Sequence, residues 1–241
     1  MLSIKKLGPG LLFAGAAIGV SHLVQSTKAG ADFGLGLLWA LLLVNLFKYP
    51  FFQIGPRYAS ATGESLLDGY KKLGKSVLSV YFILTLATMF TIQTAVTIVT
   101  AGLATSLFGD FIPIKVWTII ILFICGAILF FGKYRLLDRL MKIIIVTLTV
   151  STILAVILAL YKSNSTLSVS QVLPKGTLEI SFLIAFMGWM PAPLDISVWH
   201  SLWTVEKEKH TIERDLKASL FDFNIGYITA IFLGIGFLLL G

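Results

Sequence analysis

Long apolar runs alternate with short polar stretches from one end of the chain to the other. A helix needs about 20 apolar residues to cross a bilayer. Seven runs meet or approach that length: Leu11–Gly30, Gly34–Ile54, Val77–Leu107, Val116–Phe131, Ile143–Tyr161, Ile180–Trp203 and Leu220–Leu240. The third is long enough to tilt, and the fourth is short. The pattern predicts an all-α integral membrane protein of about seven transmembrane helices.

The sixth run is the most irregular. Phe186-Met-Gly-Trp-Met-Pro-Ala-Pro-Leu-Asp-Ile-Ser-Val-Trp199 places Gly188, Pro191, Pro193 and the acid Asp195 in its middle. Proline removes a backbone donor and clashes with the preceding turn, so this helix is expected to break inside the membrane. Transporters use such interrupted helices to hold ions and substrates on freed backbone groups. The first run carries Gly15, Gly19, Ser21, His22 and Gln25. It reads either as a tight helix crossing at Gly15 and Gly19 with a hydrogen-bonded histidine, or as a second broken helix facing the sixth. The break in the sixth run favours the second reading.

Composition agrees: 57% of the 241 residues are hydrophobic and 13% are charged, against about 25% charged in soluble domains. Mean hydropathy is +0.91. The formal net charge of +7 does not point to nucleic acid, because the basic residues flank apolar runs and form no stripe. Lys5 and Lys6; Arg57, Lys71, Lys72 and Lys75; Lys133, Arg135, Arg139 and Lys142; and Lys207, Lys209, Arg214 and Lys217 all fall on one side. Only Lys28, Lys115, Lys162 and Lys175 fall on the other. The N-terminus is therefore expected in the cytoplasm and the protein in the plasma (inner) membrane, its partners being the lipid bilayer and a small ion or solute. The basic start resembles a signal peptide only loosely, since further spans follow. Asn164-Ser165-Thr166 fits a glycosylation sequon on the outer side. The lone Cys125 reads as an apolar filler. No nucleophile elbow, P-loop or zinc-protease motif is present, His22, His200 and His210 are scattered, and the sequence reads as neither an enzyme nor a cofactor carrier.

Polar groups inside spans must be paired. Asp195 fits a cap on the restarted sixth helix and a wall of a site at once. Lys48 fits snorkelling to the cytoplasmic face, with pairing to Asp195 as the alternative. Asp222 is expected at the interface. Thr85, Thr88, Thr91, Gln93, Thr94, Thr97 and Thr100 in the third run fit interhelical hydrogen bonds or a polar pathway.

Leu7-Gly-Pro-Gly10, Ala29-Gly-Ala-Asp-Phe-Gly34, Leu37-Leu-Trp-Ala-Leu-Leu-Leu-Val-Asn45, Gln53, Thr62-Gly63 and Leu107-Phe-Gly109, with Gly188, Pro193 and His200-Ser201, resemble the Nramp family of divalent metal transporters. The resemblance implies a LeuT-like inverted-repeat fold, with residues 1–161 as the first five-helix repeat and 178–241 as the start of the second. The final Leu238-Leu-Leu-Gly241 has no interfacial anchor, so the chain is expected to be the first part of a longer one. Several family residues are replaced. The family's Asp-Pro-Gly-Asn falls on Gly19-Val-Ser-His22, so Gly19 stands for the metal-binding aspartate. Its Met-Pro-His falls on Ala192-Pro-Leu194, or in another register on Met190-Pro-Ala192. The family's third-helix acids are missing. A divalent cation without a counter-charge is prohibitive in low dielectric, so either His22 and Asp195 rebuild a metal site or the cargo differs. The expected substrate site comprises Gly19, His22, Gln25, Ala192 and Asp195, with His22 and Asp195 as metal ligands. The expected function is an Nramp-like secondary transporter with an altered site between helices 1 and 6. A carrier of a small organic solute and a non-transporting sensor are the alternatives.

Overall fold

The computed structural model describes residues 7–162, 169–209 and 214–241, and among them it is all-helical. The helices are α1 (Pro9–Ala17), α2 (Thr27–Phe33), α3 (Leu38–Thr62), α4 (Leu66–Leu73), α5 (Lys75–Phe108), α6 (Ile114–Lys162), α7 (Thr177–Trp189), α8 (Ile196–Glu208) and α9 (Leu216–Leu240). A wide π-type turn, Ser21–Ser26, precedes α2, and a tight turn, Gly34–Leu37, separates α2 from α3. The expected first and sixth spans are thus each split, into α1 and α2 and into α7 and α8. Five helical stretches are long and apolar enough to cross a membrane: Ser21–Thr62, Lys75–Phe108, Ile114–Gly132, Leu136–Lys162 and Leu216–Leu240. Lys5, Lys6, the sequon at Asn164 and His210 lie outside the described residues.

The chain forms two compact units, Met1–Leu66 with Met141–Gly241, and Leu67–Leu140. In the first, small residues let backbones touch. A Cβ on Gly10 would overlap the Asp222 carbonyl, and one on Gly226 would overlap the Gly10 carbonyl. The helices α1 and α9 therefore meet main chain to main chain. α3 approaches α8 in the same way at Gly55 and Ser197. Next to the first crossing, the ring of Phe13 lies 5.4 Å from Phe52, 5.7 Å from Phe223 and 5.6 Å from Tyr227, centroid to centroid. The end of α3 is a left-handed glycine cap: Gly63 has φ 76°, and its N–H bonds the Ala59 carbonyl at 2.7 Å.

The second unit presents apolar side chains outward, as helices facing lipid do; Phe82, Ile83 and Phe90 are all more than 60% exposed. Its threonines behave otherwise than expected. Thr88 bonds the Leu84 carbonyl, Thr97 that of Gln93 and Thr100 that of Val96, at 2.7–2.9 Å. These hydroxyls close on their own helix, the bond open to a threonine four residues on, and they need no neighbouring helix.

A second correction concerns the connection between the expected fourth and fifth spans. It is no loop: α6 runs unbroken through residues 133–142. No proline or glycine follows Gly132 there, and Leu, Arg, Lys and Met are good helix formers.

Candidate functional site

The first interruption begins where α1 ends. Ile18 leaves helical geometry at φ −84°, ψ 51°. The chain restarts in the wide turn, and the Gly19 carbonyl accepts the N–H groups of His22 and Leu23 at 3.2 and 3.0 Å. This carbonyl, expected to face a substrate, is therefore spent on the restarting helix. The second interruption begins at Met190, which is extended at φ −83°, ψ 138°. Pro191 and Pro193 keep the segment from closing into a helix until Ile196. The glycines at both breaks differ from the packing glycines. A Cβ on Gly19 or on Gly188 would meet nothing within 4 Å. The side-chain direction at both glycines thus faces open space.

The two interruptions touch. Ser21 Oγ lies 3.4 Å from the Pro191 carbonyl oxygen. It also bonds the Ala17 carbonyl, at the frayed end of α1. Ala192 is buried in an apolar cluster with Phe13, Ala17 and Phe52, so its side chain serves the core. Two polar atoms on the wide turn, Gln25 Oε1 and Ser26 Oγ, are buried without a hydrogen-bond partner. A buried oxygen without a donor is costly and marks a place where a ligand can complete the bond.

His22 is fully buried and already engaged. Its Nε2 lies 2.9 Å from the Ala230 carbonyl of α9. Its Nδ1 lies 2.9 Å from the Ala17 carbonyl and 2.8 Å from Ser21 Oγ. A neutral imidazole carries one N–H and one lone pair; the nitrogen that donates to a carbonyl cannot bind a metal, and at Nδ1 the lone pair can instead accept from the Ser21 hydroxyl. A metal at His22 would have to displace one of these oxygens.

Asp195 is half-buried at the start of α8, and its side chain makes no capping bond. The expected cap is thus not formed, and no hydrogen bond or ion pair joins Asp195 to His22 or to Lys48 among the described residues. Lys48 does not snorkel. Its Nζ donates to the carbonyls of Met187, Gly188 and Met190 at 2.9, 2.7 and 2.8 Å, where α7 ends. The sequence signal was an uncompensated lysine within an apolar run; the partner, about 140 residues away, was not readable. Asp222 is buried within the protein. Its carboxylate accepts the Gly8 N–H at 3.0 Å and lies 3.4 Å from Lys207 Nζ. This pair ties the start of α1 to α9 and to the end of α8. Among the described residues no cluster of three or more His, Cys, Asp or Glu side chains could hold a metal ion.

Residues 10–240 match the family described as Natural resistance-associated macrophage protein-like. An uncharacterized protein of Pasteurella multocida (strain Pm70) is 38% identical over 239 residues, covering 98% of this chain and 55% of that protein. The chain thus spans about half the length of that curated relative. A match over nearly the whole chain, on a scaffold in which two interrupted helices meet, places this protein in the Nramp family.

Proposed function

We propose that this chain forms the substrate-holding part of a secondary transporter of the Nramp type, with its cargo bound where the two interruptions meet. The observation that supports this reading is the contact of Ser21 with Pro191, made from a turn whose Gln25 Oε1 and Ser26 Oγ are buried without partners. In a membrane, backbone that leaves helical geometry is tolerated where it is buried in protein or lines a cavity.

The candidate donors are oxygens: the Gln25 amide, the Ser26 hydroxyl, the Asp195 carboxylate and main-chain carbonyls. Such a set suits hard cations such as Mg²⁺ or Mn²⁺ better than soft ones. The family's divalent cargo is accordingly the leading reading, held in an altered site. The want of a three-ligand cluster among the described residues favours the second reading, a small neutral or zwitterionic solute bound by hydrogen bonds.

The test is uptake by the full-length protein in liposomes. Mg²⁺ or Mn²⁺ flux should fall about tenfold in Gln25→Ala and in Asp195→Ala, the loss of one good interaction. Divalent flux that both variants leave untouched would remove the site from this location. Solute binding with no divalent flux would establish the second reading.

A further inference from the structure

We infer that Lys48 is a tethered cation: its ammonium permanently fills the carbonyl cage opened by the break after α7, where transporters with interrupted helices hold a coupling ion. The inference concerns a different set of atoms from the proposed cargo site and does not depend on what the cargo is.

The cage is built by the break itself. The last carbonyls of any helix have no partner within the helix. In α7 two of these belong to Met187 and Gly188, and the extended turn at Met190 adds a third from just beyond the helix end. All three converge on one point within 2.9 Å. A half-helix C-terminus also carries the negative end of the helix dipole. Unwound carbonyls at such an end are the general device by which broken transmembrane helices coordinate Na⁺ or a proton.

Here that point is occupied by a side chain. An ammonium has three N–H donors and no acceptor, and Lys48 places all three on the three carbonyls. The donor set and the acceptor set saturate one another, and three carbonyls at this range require the charged form, since a neutral amine has only two N–H groups. No carboxylate pairs with Lys48 among the described residues, so the helix end supplies the compensation that an acid would otherwise give. The opposite end of α7 shows the complementary arrangement: the Glu179 carboxylate accepts the Lys175 N–H at 3.0 Å, just before the helix starts. α7 therefore carries an anion at its positive end and a cation at its negative end.

A free ion and the ammonium cannot share the cage. The geometry thus assigns Lys48 two effects: it makes the sixth-span break independent of any dissolved cation, and it repels a divalent ion from those three carbonyls. A divalent cargo would have to sit away from those three carbonyls.

Thermal unfolding of the full-length protein in detergent tests this, with choline, too large for the cage, as the reference cation at equal ionic strength. The wild type should melt at the same temperature in Na⁺, K⁺, methylammonium and choline. Lys48→Ala should melt lower in choline and recover by about 2–4 °C in methylammonium, which fits the vacated space and binds only the folded state. Lys48→Met, which fills that space without charge, should show no recovery. A wild type that Na⁺ or K⁺ stabilises over choline would overturn the inference. So would a Lys48→Ala that no cation rescues, since an ordinary helix cap predicts that loss. If Lys48→Ala is recovered folded only when purified in methylammonium, the inference stands; if it is recovered in none of these cations, the inference falls. Each result is read without any transport assay, so it leaves the cargo assignment untouched.

Discussion

His22 shows how much of a single residue's role sequence can carry. Its place within a span made it costly unless paired, and pairing was readable as a requirement. Its partners were not: the Ala230 carbonyl comes from α9, 208 positions away. The ring bridges the frayed end of α1 to α9, which is a structural task. His22→Ala should lower stability by about 1–3 kcal/mol, removing the buried ring N–H that stands between the Ala17 and Ala230 carbonyls. His22→Gln should lose less, because its amide can still donate to one of them. Melting of the two purified variants checks the order. A residue serving only as a metal ligand would show the reverse pattern, with stability kept and cargo affinity lost in both. Lys48 makes the same point from the other direction. A lysine that can snorkel and one that caps a broken helix look alike in sequence, and only the fold shows which carbonyls are within reach.

At the scale of elements, the breaks were legible because proline and glycine act locally. Pro191 and Pro193, two residues apart, remove two backbone donors within one turn, and the structure resumes helix only at Ile196, whereas α3 stays helical through Pro50 and Pro56, six residues apart. The first break was readable only as a weakness at Gly19 and Ser21, and it falls at Ile18 and Gly19. The continuous α6 was not legible, because charge clusters mark loops on average while helix propensity decides the backbone. Glycine alone did not reveal its own role either. Gly10 and Gly226 sit at a backbone crossing, whereas Gly19 and Gly188 face space. The two kinds should separate in mutants. Gly10→Ala and Gly226→Ala must push α1 and α9 apart, and each should reduce stability by about 1–3 kcal/mol, the usual penalty of overpacking. Gly188→Ala, within α7, should be neutral or stabilise by about 0.5–1 kcal/mol, because alanine favours helix and meets no neighbour. Yield of folded protein from membranes and melting temperature would report both. A Gly226→Ala protein as stable as wild type would mean that α1 and α9 do not cross at this point.

For the molecule as a whole, the family and its helical membrane architecture follow from pattern and match alike, while the assignment of residues 1–161 and 178–241 to two inverted repeats stays a proposal that rests on the family's fold. Orientation is open to direct measurement, and α5 is the element to use. Its 34 residues rise about 51 Å, more than the ~30 Å hydrocarbon core, so it is long enough for its two ends to emerge on opposite sides. Lys71 precedes it among basic residues, and the exposed Asp110 follows it in a stretch whose one basic residue is Lys115. Basic residues are retained in the cytoplasm during insertion, which predicts Lys71 inside and Asp110 outside. Cys125 is the single cysteine within these 241 residues, so Cys125→Ser removes the competing thiol of this chain, and any cysteine elsewhere in the expressed protein is replaced as well. In intact cells a membrane-impermeant maleimide should modify Asp110→Cys at once and Lys71→Cys only after permeabilisation. The reverse pattern would turn the protein over in the membrane, and with it the junction of the two broken helices. Equal labelling of both positions in intact cells would mean that α5 does not span the bilayer at all, and the count of crossings on either side of it would have to be redrawn.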